Sequence, residues 1–476
     1  MNYQSNLTIV FCSLLLTYGC KEMSSKYDSD KPNIVFVFAD QWRAQDLGYA
    51  GNEQVKTPNL DLLAEQAVVF RNAVVNIPVC TPARASLMTG QYPLTHGLFY
   101  NDKPLAADAT CIAEVYKENV YNTGYIGKWH INGGGIKHRN EPVPNERRQG
   151  FDFWKVHECT HNYNNSVYYD EENVKHTWEG YDAIAQTNEA VKYIHSHKDE
   201  PFVLFLSWGP PHAPYETAPE QYKEMYATMD IQLRPNVPEE FKERTTEWIR
   251  GYYAHITALD DCVQQLQNAI KEAGLEDNTI FVFTSDHGDM LGSHGQVKKQ
   301  KPWEESILVP MIMKYPNKLH AGEMNKVFSF VDIMPTLLGL CNLEIPKTVE
   351  GIDFSGELLK KESIEVDGAF ITCPVPFHQW SYKNGGREYR GIRTERYTYA
   401  KDLNGPWLLY DNLNDPYQMN NLCNNPEFSD LQANLEKKLQ KMLQERGDEF
   451  LDGEEYMKKW NYTWDMDDSI KIIAEK

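Results

Sequence analysis

The stretch Asn33-Ile-Val-Phe-Val-Phe-Ala-Asp40 is a continuous apolar run that stops at an aspartate. A run of this length and composition predicts a strand buried on both faces of a parallel sheet. Two similar runs follow, at Phe202 to Trp208 and at Thr279 to Thr284. Each of the three is followed directly by polar residues. The chain therefore repeats one arrangement, in which a buried strand has a polar end.

Between the second and third runs, residues Glu247 to Gly274 have the apolar spacing of a helix, and the glycine is a plausible stop. Strands that alternate with helices predict an α/β sheet covered by helices on both faces. Ligands of such sheets bind beyond the carboxyl ends of the strands. We therefore expect Asp40, His212 and Asp286 to lie on one rim of the sheet.

The pattern continues with a strand at Val309 to Tyr315 and a helix at Asp332 to Leu340. After these elements the alternation of long apolar strands and helices ends. Shorter strands of antiparallel type follow, with an amphipathic helix after them. We predict a main domain over residues 33–359 and a smaller C-terminal α+β domain over 360–476 that contains an antiparallel sheet and a C-terminal helix. The segments that indicate the smaller domain are Phe370 to Cys373, Tyr389 to Ala400, Pro406 to Tyr410 and Leu431 to Glu445.

The chain is acidic, with a formal net charge of −21 over 476 residues, and 41% of its residues are hydrophobic. This composition is typical of a globular protein with a substantial core. The charge argues against nucleic acid or an anionic membrane as a partner bound through bulk electrostatics. An anionic substrate must therefore be bound by a local cluster of cations.

The N-terminus carries an apolar run at Leu7 to Leu16, too short to span a bilayer, followed by Gly19-Cys20 and a polar stretch. Residues 1–20 resemble a secretory signal and residues 21–32 a linker, which predicts an exported protein of the periplasm or cell surface. Cleavage before Cys20 would leave a lipid anchor there, as in bacterial lipoproteins, and this anchor is the one membrane contact that we expect. Plain secretion and a structural segment are the alternatives.

Six further cysteines are widely spaced, without a Cys-x-x-Cys pair, so the sequence does not predict a zinc site. In a domain of this size they are compatible with disulfides and equally with buried free thiols. The six are Cys111, Cys159, Cys262, Cys341, Cys373 and Cys423.

Residues Val79 to Gly90 contain the pattern Cys-x-Pro-x-Arg, formed by Cys80, Pro82 and Arg84. Taken alone, the pattern is also compatible with a buried cysteine before a proline turn. Together with Met88-Thr89-Gly90 it resembles the formylglycine signature of the type I sulfatases, a bacterial carbohydrate sulfatase-like pattern of the alkaline phosphatase superfamily. The resemblance implies a large, mixed, mostly parallel sheet between helices, and oxidation of Cys80 to formylglycine by a formylglycine-generating maturation enzyme.

Two polar pairs follow buried strands, Asp40-Gln41 and Asp286-His287. Oxygen ligands that converge from separate strands are what a hard divalent cation needs, although a single aspartate after a strand is more often a helix cap. The resembling family has an Asp-Asp pair at the first place and Asp-Asn or Asp-His at the second, which together hold calcium against the formylglycine. The resemblance implies one Ca²⁺ here, in preference to Mg²⁺, with Gln41 as a neutral replacement for the second aspartate.

The same resemblance assigns a set of cationic and basic groups. Gly127-Lys128-Trp129-His130 matches the family's Gly-Lys-Trp-His, and Pro211-His212-Ala213-Pro214 matches its Pro-His-x-Pro. Arg84, Lys128 and Lys299 would bind the sulfate oxygens, while His212 would protonate the leaving alcohol. The hydrated aldehyde at residue 80 would attack sulfur, and His130 would then remove the proton whose loss expels sulfate. A plain cysteine or serine would stall as a stable ester.

Loops around the rim and in the smaller domain are expected to contact the substrate. Two of them are rich in aromatic and hydrogen-bonding side chains, residues 158–169 and 374–380. Minor core clusters and surface salt bridges are competing roles for these side chains. The candidates for substrate contact are His161, His378, Trp380, Arg387 and Arg390.

The sequence thus predicts a sulfuric ester hydrolase that acts on a sulfated glycan or a glycosaminoglycan fragment. The fold class alone does not settle the reaction, because the superfamily also cleaves phosphate esters. A phosphodiester or phosphonate-ester hydrolase is the alternative of the same class. A glycan-binding protein without catalytic activity is the alternative of another class.

Overall fold

The computed structural model describes residues 31–464 and 470–472. The predicted signal segment, the cleavage before Cys20 and nearly all of the predicted linker lie outside these residues. Within the described ranges, no helix combines the length and apolar character needed to cross a membrane.

The large domain is built on a ten-stranded sheet with the order β10-β2-β9-β8-β1-β7-β3-β4-β5-β6. Its central block β8-β1-β7-β3-β4 is parallel, whereas β9, β5 and β6 run antiparallel to their neighbours. The predicted mixed, mostly parallel α/β sheet is confirmed. The strands are β1 Asn33–Asp40, β2 Val68–Val74, β3 Asn122–Lys128, β4 Phe153–His157, β5 Val167–Tyr169, β6 Lys175–Thr177, β7 Phe202–Pro211, β8 Thr279–Ser285, β9 Met311–Lys314 and β10 Gly322–Ser329.

Helices cover both faces of this sheet, and β1 shows why both faces are apolar. Ile34, Phe36 and Phe38 pack into the core cluster on one face, while Val35 and Val37 pack into the cluster on the other. Successive side chains of a strand point to opposite faces, so a strand covered twice must be apolar throughout. The helices of this domain are α1 Pro58–Glu65, α2 Cys80–Thr89, α3 Pro93–His96, α4 Ile112–Glu118, α5 Asp182–Ser196, α6 Glu220–Tyr226, α7 Lys242–Glu272, α8 Glu304–Ile307, α9 Ile333–Leu340 and α10 Ser355–Leu358.

The C-terminal part contains a four-stranded antiparallel sheet in the order β11-β12-β13-β14, as predicted. The single strand predicted at Tyr389 to Ala400 is wrong, since the chain turns there and forms β12 and β13. Thr394 N–H donates to Tyr397 O at 2.8 Å and closes a tight turn without the glycine or asparagine that usually marks one. The remaining elements are β11 Ala369–Cys373, β12 Tyr389–Arg393, β13 Tyr397–Asp402, β14 Gly405–Asp411, α11 Ser429–Glu445, α12 Gly453–Lys459, β15 Tyr462–Trp464 and β16 Ile470–Ile472.

Two of the residues predicted to contact substrate belong to the interior of this C-terminal part. Trp380 is 3% exposed and packs against Trp303 and Trp407. Arg390 is fully buried, and its guanidinium forms a two-pronged ion pair with Asp448, at 2.5 and 3.1 Å. A buried ring in a cluster and a guanidinium already paired inside the protein have no face left for a glycan. We therefore correct both assignments to structural roles.

The seven cysteines of the described ranges are free thiols. All are buried except Cys423, which is partly exposed. Of the two interpretations of the six cysteines outside the motif, the structure shows buried or partly buried thiols.

Gly127 is one glycine that the fold requires, and it lies next to Lys128 at the end of β3. Its φ is +102°, and a Cβ atom there would lie 2.0 Å from the carbonyl oxygen of Ser207 on β7. Gly180 also has a positive φ, of +69°, but a Cβ there would meet nothing within 4 Å. Alanine substitutions at these two positions therefore distinguish the cost of a strained φ from the cost of a collision with a neighbouring strand.

We expect Gly127→Ala to lower the free energy of unfolding by about 3 kcal/mol, because it adds a backbone clash to a strained φ. Gly180→Ala, the matched control, should cost about 1 kcal/mol, from φ strain alone. Denaturant titration followed by tryptophan fluorescence measures both. Equal destabilisation by the two substitutions would contradict the tight approach of β3 to β7.

Candidate active site

The carboxyl ends of the central parallel strands bring the predicted residues to one rim. Asp40 ends β1, Lys128 ends β3, and His212 follows β7. Asp286 and His287 follow β8 in the same way. Parallel strands end at the same edge of a sheet, so residues far apart in sequence become neighbours. Cys80 reaches this rim as the first residue of α2, the helix after β2.

Four buried side chains converge around one point at this rim. Asp40, Cys80, Asp286 and His287 each offer a ligand atom, and these atoms all lie within 4.8 Å of one another. His287 Nε2 lies 3.3 Å from Cys80 Sγ, 3.4 Å from Asp40 Oδ1 and 3.5 Å from Asp286 Oδ1. This set combines two carboxylates, an imidazole and a sulfur and could hold a divalent cation.

The fifth predicted ligand, Gln41, is held rigidly beside these four. Its backbone has a φ of +73°, its N–H donates to Asp286 Oδ1 at 3.1 Å, and its carbonyl accepts from Tyr252 Oη at 2.7 Å. The side-chain Nε2 donates to Asp289 Oδ2 at 2.7 Å. The side-chain Oε1 is buried and has no hydrogen-bond partner among the described residues. An unsatisfied buried oxygen on the residue that follows Asp40 and bonds to Asp286 through its backbone fits a hard cation at this place.

The two carboxylates at the rim differ in their electrostatics. Burial raises the pKa of Asp40, but Lys128, His212, Lys299 and His287 outweigh it and hold the pKa well below the ordinary value. Burial and the neighbouring Asp40 raise the pKa of Asp286, against the opposing effect of His287 and Arg84. Like charges at short distance do not ionise independently, so the pair requires nearby positive charge.

Three cations supply that charge. Lys128 Nζ forms an ion pair with Asp40, and Lys299 Nζ lies 2.9 Å from Cys80 Sγ. Arg84 Nε donates to Asp286 Oδ2 at 3.0 Å, and its Nη1 donates to Lys128 O and Ser207 Oγ, each at 2.7 Å. Arg84 Nη2 is buried and unpaired among the described residues. The predicted sulfate-binding cations therefore lie around one centre.

The Cys80 thiol is buried and lies among these charges. Burial and Asp40 raise its pKa, but Lys128, Lys299 and His287 lower it by a larger amount. The pKa of Cys80 therefore lies well below the ordinary value. Cys80 is also the first residue of a ten-residue helix, whose N-terminal N–H groups favour negative charge. The position is therefore built to stabilise an anionic group on residue 80.

His130 has partners that the sequence did not reveal. Its Nε2 lies 3.2 Å from Asp102 Oδ1, and Asp102 also accepts from Arg139 Nε and Nη2 at 2.7 and 2.6 Å. Burial lowers the pKa of His130, but Cys159 and Asp102 outweigh burial and Lys128 and raise it well above the ordinary value. The partners of His130 therefore favour its charged form.

His212 carries the opposite electrostatics. Its Nδ1 donates to Ala213 O at 2.8 Å, which leaves Nε2 as the nitrogen available to a substrate. Burial and Lys299 lower the pKa of His212 well below the ordinary value. The ring of His161 stacks on it with centroids 4.4 Å apart, and burial lowers the pKa of His161 to about 3. Two neutral imidazoles thus form one wall of the site.

The loop that carries His212 is held from below by residues that sequence reasoning missed. Tyr163 Oη donates to Gly209 O at 3.2 Å. His255 Nε2 donates to Pro214 O at 3.2 Å, while its Nδ1 accepts from Tyr181 Oη at 2.6 Å. His255 is a fully buried histidine on an otherwise apolar face of α7. A polar residue at such a position was the one feature of the sequence that could have indicated this role.

The remaining predicted substrate contacts lie in different parts of the structure. His378 is exposed and follows Phe377, whose backbone pairs with the Gln300 side chain next to Lys299. Arg387 forms an ion pair with Asp402 at 2.8 Å and lies over the ring of Trp407. The structure thus brings His161 to the site and His378 to a neighbouring loop. Arg387 belongs with Trp380 and Arg390 to the C-terminal part.

Comparison with known proteins agrees with this geometry. Residues 32–343 match the Sulfatase family, and residues 292–445 match the family described as N-sulphoglucosamine sulphohydrolase, C-terminal. An ulvan-active sulfatase of Formosa agariphila is 45% identical over 466 residues, which cover 96% of this chain and 90% of that protein. An endo-4-O-sulfatase of Bacteroides thetaiotaomicron is 31% identical over 470 residues, 86% of this chain and 92% of that protein.

Solved structures give the same result. A structure from work on glycosaminoglycan metabolism by Bacteroides thetaiotaomicron has a TM-score of 0.80 at 29% identity, covering 90% of this chain and 98% of its own. A phosphonate monoester hydrolase of Agrobacterium radiobacter has a TM-score of 0.72 at 20% identity, covering 94% of this chain and all of its own, and it shares the fold. With a family match over most of the chain and a 45% identical relative, this chain belongs to the sulfatase family, the sulfuric ester hydrolases of the alkaline phosphatase-like superfamily.

Proposed function

We propose that this sulfatase hydrolyses sulfate monoesters on a carbohydrate, a sulfated glycan or a glycosaminoglycan fragment, and releases inorganic sulfate. The observation that carries the proposal is the surroundings of Cys80, whose sulfur lies between two carboxylates, His287 and Lys299 at the end of a parallel sheet. The ulvan-active relative supports a carbohydrate substrate. A formylglycine-generating enzyme would modify Cys80, and the hydrated aldehyde would supply the nucleophile.

The residues at the rim fit one calcium ion. Asp40, Asp286 and Gln41 would offer oxygen, which calcium prefers, and His287 and residue 80 would complete the set. A bound cation would supply positive charge for the sulfate oxygens and would lower the pKa of a hydroxyl group on residue 80. The unpaired Gln41 Oε1 is the observation that favours an oxygen-seeking ion.

The sulfate group would be held by Arg84, Lys128 and Lys299. A sulfate monoester spreads one negative charge over three oxygens, and fixed cations in a buried site stabilise such charge more strongly than they would in water. Arg84 is oriented by Asp286, Ser207 and Lys128 O and still has a buried Nη2 without a partner among the described residues. This unpaired donor is the group that we assign to a sulfate oxygen.

His212 would give a proton to the leaving alcohol oxygen. Its ring is neutral in the free enzyme, because burial and Lys299 lower its pKa. A bound sulfate anion favours the protonated ring, so binding the substrate prepares the acid. His161, stacked on His212, would fix the plane of the ring and offer a flat surface to the departing sugar.

His130 would act first as a hydrogen-bond donor to the nucleophile. Its Nε2 lies 3.2 Å from Asp102 Oδ1, and Cys159 and Asp102 raise its pKa and so favour the charged ring. Once the ring has released a proton it can accept one, and we keep for His130 the base role that the resemblance implies, removal of the proton whose loss expels sulfate. On the substrate side we retain His161 and His378 as contacts, and we propose export of the enzyme to the periplasm or cell surface.

Cys80→Ala should abolish sulfate release, by at least about 10⁴-fold, because it removes the nucleophile. Thermal unfolding of the variant should match the wild type within a few degrees, since the change is one atom in a polar site. The peptide that contains Cys80, isolated after expression with the maturation enzyme, should show the mass of an aldehyde in place of the thiol. Full activity with an intact thiol would refute the mechanism.

His212→Ala should lower kcat on a carbohydrate sulfate by about 10²–10⁴-fold, the usual contribution of a general acid. On an aryl sulfate, whose phenolate leaves without a proton, the loss should be below about 10-fold. His161→Phe keeps the stacked ring but removes its nitrogens, so it should affect both substrates alike. An equal loss on both substrates for His212→Ala would argue against proton donation by His212.

The reaction class is tested with matched sulfate and phosphate esters of one alcohol. We expect the sulfate monoester to be hydrolysed with the higher kcat/KM, because the cationic centre is arranged for a compact anion with a single charge. The alcohol released from each ester is quantified by chromatography after the same incubation, because hydrolysis of a phosphodiester or a phosphonate ester releases the alcohol but no inorganic phosphate. A clear preference for the phosphodiester or the phosphonate ester would favour the alternative hydrolase.

A further inference from the structure

Asp289 has no role in the predicted chemistry, yet it is fully buried next to the rim. Its Oδ2 accepts from Gln41 Nε2 at 2.7 Å and from Tyr215 Oη at 2.5 Å. Its Oδ1 accepts from the backbone N–H of Leu291 at 3.0 Å. We propose that Asp289 is a positioning residue that turns the Gln41 carboxamide so that its oxygen, and not its nitrogen, is presented to the cation. The inference rests on the metal site proposed above.

The orientation follows from the chemistry of the contact. The Gln41 amide nitrogen lies 2.7 Å from Asp289 Oδ2, an oxygen that also accepts from the Tyr215 hydroxyl. An amide nitrogen only donates and an amide oxygen only accepts, so this contact fixes which end of the carboxamide faces Asp289. The buried Tyr215 hydroxyl remains a donor to the same oxygen, because burial and Asp289 raise its pKa well above the ordinary value. The amide oxygen is then left without a partner among the described residues. A carboxamide that lacked the contact with Asp289 could rotate by half a turn, and its N–H groups would then repel a cation.

The backbone of Gln41 is fixed separately from its side chain. Asp286 accepts from its N–H and Tyr252 donates to its carbonyl, in a left-handed conformation with a φ of +73°. The amide is thus the one part of Gln41 whose orientation depends on Asp289. Where the resembling family has a second aspartate, this chain has a neutral amide, and a carboxyl group stands three residues after Asp286, at Asp289.

A double-mutant cycle tests the proposal. The metal-stripped wild type, Asp289→Asn, Gln41→Ala and the double variant are titrated with Ca²⁺ by calorimetry. Asp289→Asn should weaken Ca²⁺ binding about 10–100-fold, the usual effect of removing a group that orients a ligand. In the Gln41→Ala background the same change should alter affinity less than about 2-fold, because the group that Asp289 positions is absent.

Exchanging the carboxylate and the amide between positions 41 and 289 should restore Ca²⁺ binding. This double variant also tests the proposal if Asp289→Asn alone fails to fold. When Gln41→Glu is combined with Asp289→Asn, the amide introduced at position 289 donates to one oxygen of the carboxylate introduced at position 41 and leaves the other oxygen for the cation. The Ca²⁺ affinity of this double variant should return to within about 5-fold of the wild type. Asp332→Asn is the matched control, a buried aspartate that accepts from the backbone N–H groups of Ser329 and Ile352 at the start of α9. It should lower the thermal unfolding temperature and leave Ca²⁺ affinity unchanged.

The outcomes separate the inference from the function. An unchanged affinity in Asp289→Asn, or an equal loss in both backgrounds, would overturn the positioning role while the metal site stands. A wild type that binds no Ca²⁺ would overturn the metal site and this inference together. Sulfate release by the wild type, measured in parallel, is a separate readout of the sulfatase activity.

Discussion

Two carboxylates, those of Asp40 and Asp286, are buried side by side at the rim, and their repulsion is the constraint on which the site depends. Neither can keep a negative charge there without nearby positive charge. Lys128, Arg84 and His287 each lie against one or both of them. These three partners arrive from different elements, the ends of β3 and β8 and the second turn of α2. Charge balance at the rim is therefore a property of the whole sheet and not of one loop.

The histidines of the site differ in the direction of their pKa shifts. Cys159 and Asp102 raise the pKa of His130, whereas burial and the lysines lower those of His161 and His212. The first ring therefore favours its charged form, and the other two favour the neutral form that can gain a proton. This asymmetry assigns opposite roles to histidines of the same intrinsic chemistry.

Much of the fold could be predicted because three of the central strands, β1, β7 and β8, are continuous apolar runs. Strands β2 to β6 had no such signal, because β5 and β6 have three residues each and the apolar residues of β2, β3 and β4 are interrupted by polar residues or glycines. The central residues were found through their motifs and their position after strands. Asp102 and Arg139 were missed because they reach His130 from loops, a convergence in space that no spacing in the sequence encodes. Arg390 and Trp380 were wrongly predicted to contact the substrate, because the amino-acid composition of a loop does not show which of its side chains are buried.

Helix α2, which begins at Cys80, lies in the interior of the protein. All ten of its residues are buried, and Cys80 itself is 2% exposed. The maturation enzyme proposed above would therefore have to reach Cys80 before this helix packs into the domain. A molecule that folded first would keep its thiol, so folding would set the time limit for the proposed modification.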